Sequence, residues 1–200
     1  MGDISLILCY NTNNMSKKVC FIGHRRIGYG PIKERLENAI REELKSGCRL
    51  FTMGTHGEFD SLALSICRKL RNEYKDMEIE VVLTSLSIFN KPKDENEIYF
   101  EPYKDVKTVF YEIEEEYFKK QITTSNRQMV DTCDTLICYV NKKQYQSGAK
   151  TTMNYAKRQG LQIVNLYHEE DEPTFGMTEE QKKEYWDNIN KELNKLTYKK

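Results

Sequence analysis

Apolar residues along the chain fall into two alternating patterns, short unbroken runs and longer stripes at helical spacing. Val19, Cys20, Phe21 and Ile22 form a run ending at Gly23, as in a strand buried on both faces. Pro31, whose missing N–H is harmless in a first turn, opens a stripe of Ile32, Leu36, Ala39, Ile40 and Leu44 that stops at Gly47. A strand over 49–53 follows, then the turn Gly54–Gly57 and a helix carrying Phe59, Leu62, Ala63, Ile66 and Leu70. A β-branched strand over 79–83 completes a βαβαβ order, which predicts parallel strands joined by right-handed crossovers.

Residues 85–104 hold Pro92, Pro102 and the charged run 91–97 and show no period; so long an irregular segment suits a lid or a mobile loop. Beyond it the pattern predicts a strand over 106–111, a helix over 123–132 and a strand over 135–140. A helix over 151–158 closed by Gly160 and a strand over 162–166 follow. An acidic loop then leads to a last helix opened by the capping box Thr178-Glu179-Glu180-Gln181 and continuing through Trp186, Ile189 and Leu193. The expected fold class is α/β: an open, mostly parallel sheet with helices on both faces, plus a C-terminal helix. The expected division is an extension over 1–17 (Met15 being a possible natural start), a domain over 18–167, and a loop and helix over 168–200.

The 31 basic and 31 acidic residues among 200 cancel, which argues against a nucleic-acid partner or a charged membrane surface. No apolar run approaches the roughly 20 residues that span a bilayer, and the start lacks the basic leader and apolar core of a signal peptide. Six cysteines without a CxxC pair, mostly inside apolar segments, read as reduced structural thiols, and a cytoplasmic location follows. The three histidines are scattered, so no metal and no cofactor is expected.

Candidate chemistry gathers where predicted strands end, the ligand-binding edge of an open α/β sheet. Gly23-His24-Arg25-Arg26 combines a glycine that admits close approach with arginines suited to phosphate or carboxylate; a solvated basic loop is the plainer alternative. In Gly54-Thr55-His56-Gly57-Glu58-Phe59-Asp60, Thr55 offers a hydroxyl. Glu58 and Asp60 occupy a first helical turn, where the dipole favours carboxylates with or without a ligand. Asn126-Arg127 brings a cation that can clamp a phosphate or pair with Glu58, Asp60 or Asp131. Ser147-Gly148-Ala149-Lys150-Thr151 opens the next helix with small residues and two hydroxyls, an arrangement that seats an anion or merely lets a helix pack closely.

In this order the motifs resemble the SLOG superfamily of Rossmann-like proteins, named for the Smf/DprA and LOG (Lonely Guy) families, and look closest to its YspA/YoqJ-like bacterial and phage branch. The resemblance rests on Phe21-Ile22-Gly23-His24-Arg25, on Gly54 with Gly57-Glu58-Phe59-Asp60, and on Asn126-Arg127-Gln128-Met129-Val130-Asp131. Ser147-Gly148-Ala149 leading to Tyr155-Ala156-Lys157 completes it, so that it covers about 18–167. It implies a Rossmann-like domain binding a nucleotide or an ADP-ribose-like ligand, as a sensor or carrier, in a homo-oligomer. The implied ligand site is Gly23, His24, Arg25, Gly54, Thr55, Gly57, Asn126, Ser147, Gly148 and Thr151. LOG enzymes hydrolyse nucleoside monophosphates at the N-glycosidic bond with an arginine and a glutamate; Arg127 matches that arginine. The LOG pattern Gly-Gly-x-Gly-Thr-x-x-Glu is broken here, since Asn154 and Thr152 stand where a carboxylate is needed. An N-glycosidase therefore requires Glu58 or Asp60 as a substitute beside Arg127, and is the alternative function. Single-strand DNA binding, as in DprA, is a further one that the balanced charge disfavours.

Overall fold

A computed structural model of the protein describes residues 17–27, 31–84, 101–111, 118–145, 147–172 and 174–197. The strands are β1 (Lys18–Gly23), β2 (Leu50–Met53), β3 (Glu78–Leu83), β4 (Lys107–Phe110), β5 (Thr135–Tyr139) and β6 (Gln162–Asn165). The helices are α1 (Ile32–Lys45), α2 (Glu58–Leu70), α3 (Phe118–Asp131), α4 (Gly148–Arg158) and α5 (Glu179–Thr197). The strands form one sheet in the order β4-β3-β2-β1-β5-β6, and every pairing is parallel. Among the described residues no helix is long and apolar enough to cross a membrane.

Each central strand feeds two cores, because alternate side chains leave opposite faces of the pleat. Val19 and Phe21 of β1 pack with α1 and α2, alongside Leu36, Ile40, Phe51 and Phe59. Cys20 and Ile22 point the other way, toward Met129 and Val130 of α3 and Met153 and Ala156 of α4. All these residues are buried, which is why β1 reads as a continuous apolar run. The described cysteines 20, 48, 67, 133 and 138 are free thiols.

The helices α3 and α4 begin earlier than their apolar spacing predicts, at Phe118 and Gly148 instead of 123 and 151. For α4 the reason is the cap: Ser147 Oγ accepts the Lys150 N–H at 3.2 Å, so the first helical turn is polar and carries no stripe. The expected extension over 1–17 and the irregular segment over 85–104, read as a lid or a mobile loop, lie outside the described residues, apart from Lys17 and residues 101–104, which include a 3-10 turn at Glu101–Tyr103.

The chain runs outward from β1 to β4 and then returns to place β5 on the other side of β1. The crevice outside the carboxyl ends of β1 and β5 is therefore the switch point of the sheet, where its two halves diverge and leave room for a ligand.

Candidate functional site

At that switch point Gly23 pairs in register with Tyr139, and the His24 N–H continues the ladder to the Tyr139 carbonyl at 3.1 Å. A Cβ on Gly23 would lie 2.4 Å from the ring of buried Phe59, so glycine is required here by the approach of α2 to β1. Gly57 is similarly confined: its Cβ would meet Arg25 Cα at 3.1 Å and the His24 carbonyl at 3.2 Å. Gly23 thus lets α2 close on β1, and Gly57 lets its turn close on the loop after β1. Neither Gly54 nor Gly148 is under comparable pressure.

Both candidate carboxylates hold this closure. Glu58 accepts the Ile27 N–H at 3.0 Å, while its own N–H donates to the Arg25 carbonyl at 2.9 Å. Asp60 turns back into the loop and accepts the His56 N–H at 3.0 Å and a backbone bond from Gly57. Burial pushes the Asp60 carboxyl up to about 6 against the opposing pull of those two N–H groups.

His24 has a defined tautomer. The Asn141 N–H donates to Nε2 at 2.8 Å, so the ring proton sits on Nδ1, which donates to Ser147 Oγ at 3.3 Å. Burial lowers the His24 pKa, with the nearby charge of Glu172 acting in the opposite sense. Glu172 itself accepts from Asn141 Nδ2 at 3.1 Å and from the Tyr167 hydroxyl at 2.9 Å. His56 is also lowered, by burial and then by Arg25, and its Nε2 lies 2.6 Å from the hydroxyl of Thr84 at the end of β3.

Two adjoining hollows open on this edge. The larger, about 960 Å³, lies over the ends of β1 and β5 and is lined by His24, Arg25, Arg26, Tyr139 and Asn141, among others. The helix α5 contributes Lys182, Tyr185 and Trp186 to the same lining. The smaller, about 760 Å³, shares Arg25, Arg26, Ile27 and Glu58 and extends to Thr55, His56 and Gly57 at the start of α2. Arg25 and Arg26 are exposed, so their guanidinium groups are available to an anion.

The structure thus brings His24, Arg25, Thr55, Gly57 and Glu58 into the lining, with Gly23, Gly54, Asp60 and Ser147 directly behind it. Gly148 and Thr151 begin α4 beyond Ser147 and do not line either hollow; the Thr151 hydroxyl donates to the Ser147 carbonyl at 3.0 Å. Asn126 and Arg127, on α3, are likewise outside the lining, and the Arg127 guanidinium sits 5.4 Å from the centre of the Tyr155 ring. Tyr155 in turn donates to Asp131 at 2.7 Å. Neither Thr152 nor Asn154 offers a carboxylate: the buried Thr152 hydroxyl donates to the Gly148 carbonyl, and Asn154 is exposed.

Sequence reasoning did not single out Asn141 or the three α5 residues, which line the larger hollow, nor His56 by itself, which lines the smaller. Arg26 and His56 stood inside motifs already singled out. The α5 residues carried no signal, since spacing along the chain does not say where a terminal helix docks.

The family model described as the YspA SLOG family matches residues 12–171. Among solved structures the chain is similar to DNA processing protein A from Helicobacter pylori, described for its single-stranded DNA binding mode. The two share 20% identity at a TM-score of 0.50, over 74% of this chain and 63% of that one. The chain therefore spans less than two thirds of that protein, and the likeness is one of fold. Comparison with curated proteins finds no match.

Proposed function

The chain belongs to the YspA SLOG family, and on that premise we propose that it binds a nucleotide or nucleotide-derived, ADP-ribose-like ligand at the carboxyl edge of its sheet. It acts there as a sensor or carrier. The observation that carries this reading is the hollow of about 960 Å³ at the switch point, with Arg25 and Arg26 on its wall. Its size suits a small-molecule site, and its position is where open α/β sheets take nucleotides. Arginine supplies paired donors for phosphate.

Binding without cleavage is favoured over LOG-type hydrolysis because of how the carboxylates are used. Glu58 and Asp60 already accept backbone N–H groups that hold the β1–α1 loop and the Gly54–Gly57 turn. Hydrolysis of an N-glycosidic bond needs a carboxylate free to face an oxocarbenium-like centre. Glu58, exposed and lining the hollow, is the one that can be released to do so.

Native mass spectrometry with nucleoside monophosphates, NAD, ADP-ribose and a single-stranded oligodeoxynucleotide tests the proposal and reads the oligomeric state directly. The expected result is one small ligand retained intact by the unmodified protein and lost in Arg25→Ala/Arg26→Ala. Release of free base would make the protein a hydrolase, with Glu58→Gln as the check. Salt-dependent retention of the oligonucleotide would move the reading to nucleic acid, the ligand class of the DNA processing protein. Retention of nothing would refute it.

A further inference from the structure

Part of the lining of the larger hollow comes from beyond the family match. That match ends at residue 171, whereas Lys182, Tyr185 and Trp186 belong to α5 and still line the larger hollow. Residues spaced i, i+3 and i+4 share one helical face, so one side of α5 presents a cation and two aromatic rings together. The Tyr185 and Trp186 rings meet edge to face, their centroids 5.1 Å apart at 81°. Neither residue belongs to either hydrophobic core, and Trp186 is 44% exposed. Tyr145 and Phe175 are also exposed large hydrophobics, but only Trp186 of the three lines this hollow.

We propose that α5 supplies the base-recognition wall of the site: a purine nucleoside phosphate stacks its base on Trp186, steadied by Tyr185, while its phosphate meets Arg25 and Arg26. This rests on the nucleotide-binding reading above and adds to it the class of ligand and the element that selects it. One hollow carries both kinds of chemistry that a nucleotide needs. Guanidinium groups on the β1 side favour phosphate, and an uncovered indole favours the π-face of a base. A purine presents the larger face and so recovers more of the apolar area that Trp186 leaves in water. Lys182 pairs with Glu179 at 2.6 Å in an exposed contact and adds a further cation to the lining beside the two arginines.

Trp186 is the only tryptophan in the chain, so tryptophan emission reports this part of the lining alone. The experiment titrates AMP and, separately, ribose 5-phosphate, following tryptophan emission and, independently, heat by calorimetry. AMP is expected to change the emission and ribose 5-phosphate to leave it unchanged. Trp186→Leu should weaken AMP about five- to a hundredfold, the usual worth of one stacked base, without altering ribose 5-phosphate binding; Trp186→Phe should restore most of the loss. Tyr185→Leu keeps the fluorophore and gives a second reading should Trp186→Leu not fold. Calorimetric binding of AMP that neither changes the emission nor weakens in either leucine variant would overturn the α5 proposal and leave the nucleotide-binding reading standing. Absence of calorimetric binding by AMP, ADP-ribose and ribose 5-phosphate alike would overturn both.

Discussion

Asp60→Asn isolates what the buried carboxylate does. In the folded protein its pKa rises from the ordinary 3.8 to about 6, because burial penalises the anion more than the His56 and Gly57 N–H groups favour it. Below the ordinary value Asp60 is protonated in both folded and unfolded chains, and its contribution to stability is fully present. As pH climbs, the unfolded chain releases the proton first, so the unfolded state binds fewer protons than the folded one and stability falls until the folded carboxyl also ionises near 6. A shift of about two units corresponds to about 3 kcal/mol lost over that window, taken as a ceiling. Asparagine keeps the carbonyl that faces the His56 N–H and removes the titration. The difference in unfolding free energy between variant and parent should therefore swing by about 1–3 kcal/mol in favour of the variant between pH 4 and pH 7.5. Urea unfolding followed by circular dichroism measures it, and other carboxylates cancel because both proteins share them. A variant that is less stable by more than about 1 kcal/mol at pH 7.5, with no pH dependence in the difference, would refute the reasoning and make the ionised carboxylate a favourable partner.

Gly23→Ala forces a methyl group against the Phe59 ring and should lower stability by about 1–3 kcal/mol; Phe59→Leu in the same chain should recover part of the loss, and an unchanged melting temperature in the single variant would contradict the packing argument. His24 should appear in nitrogen NMR as the neutral Nδ1–H tautomer at pH 7. Because its folded pKa is depressed, the stability it supports is present above the ordinary 6.5 and lost as pH falls through the folded value; an Nε2–H signal at pH 7 would contradict the Asn141 bond. Arg127→Ala removes an exposed cation from the Tyr155 face, so it should cost about 0.5–1 kcal/mol and leave nucleotide affinity unchanged; a lost affinity would return Arg127 to the site.

How far the site was legible depended on the kind of residue. His24 and Arg25 follow β1 directly and Glu58 opens the helix after β2, and a parallel α/β order sends every strand's carboxyl end to the same edge, so their convergence follows from local pattern. Gly23 was legible as a special position, yet its reason lies in Phe59, 36 residues away along the chain and in contact only once α2 folds back. Arg127 stood one helix away from that edge by sequence, but the rotation of α3 about its own axis turned it toward Tyr155 on α4. Such a rotation is set by which side of the helix buries Met129 and Val130.

From the sequence alone came the α/β class, the parallel crossovers, the terminal helix and the strand-end motifs, because burial on two faces and amphipathic spacing are written residue by residue. The tertiary structure alone decided that β5 returns beside β1, that Glu58 and Asp60 are engaged in closing loops, and that α5 lines the larger hollow. Each of these joins segments far apart in the chain, and the free energy that selects such a join belongs to the packed surfaces together rather than to any local stretch.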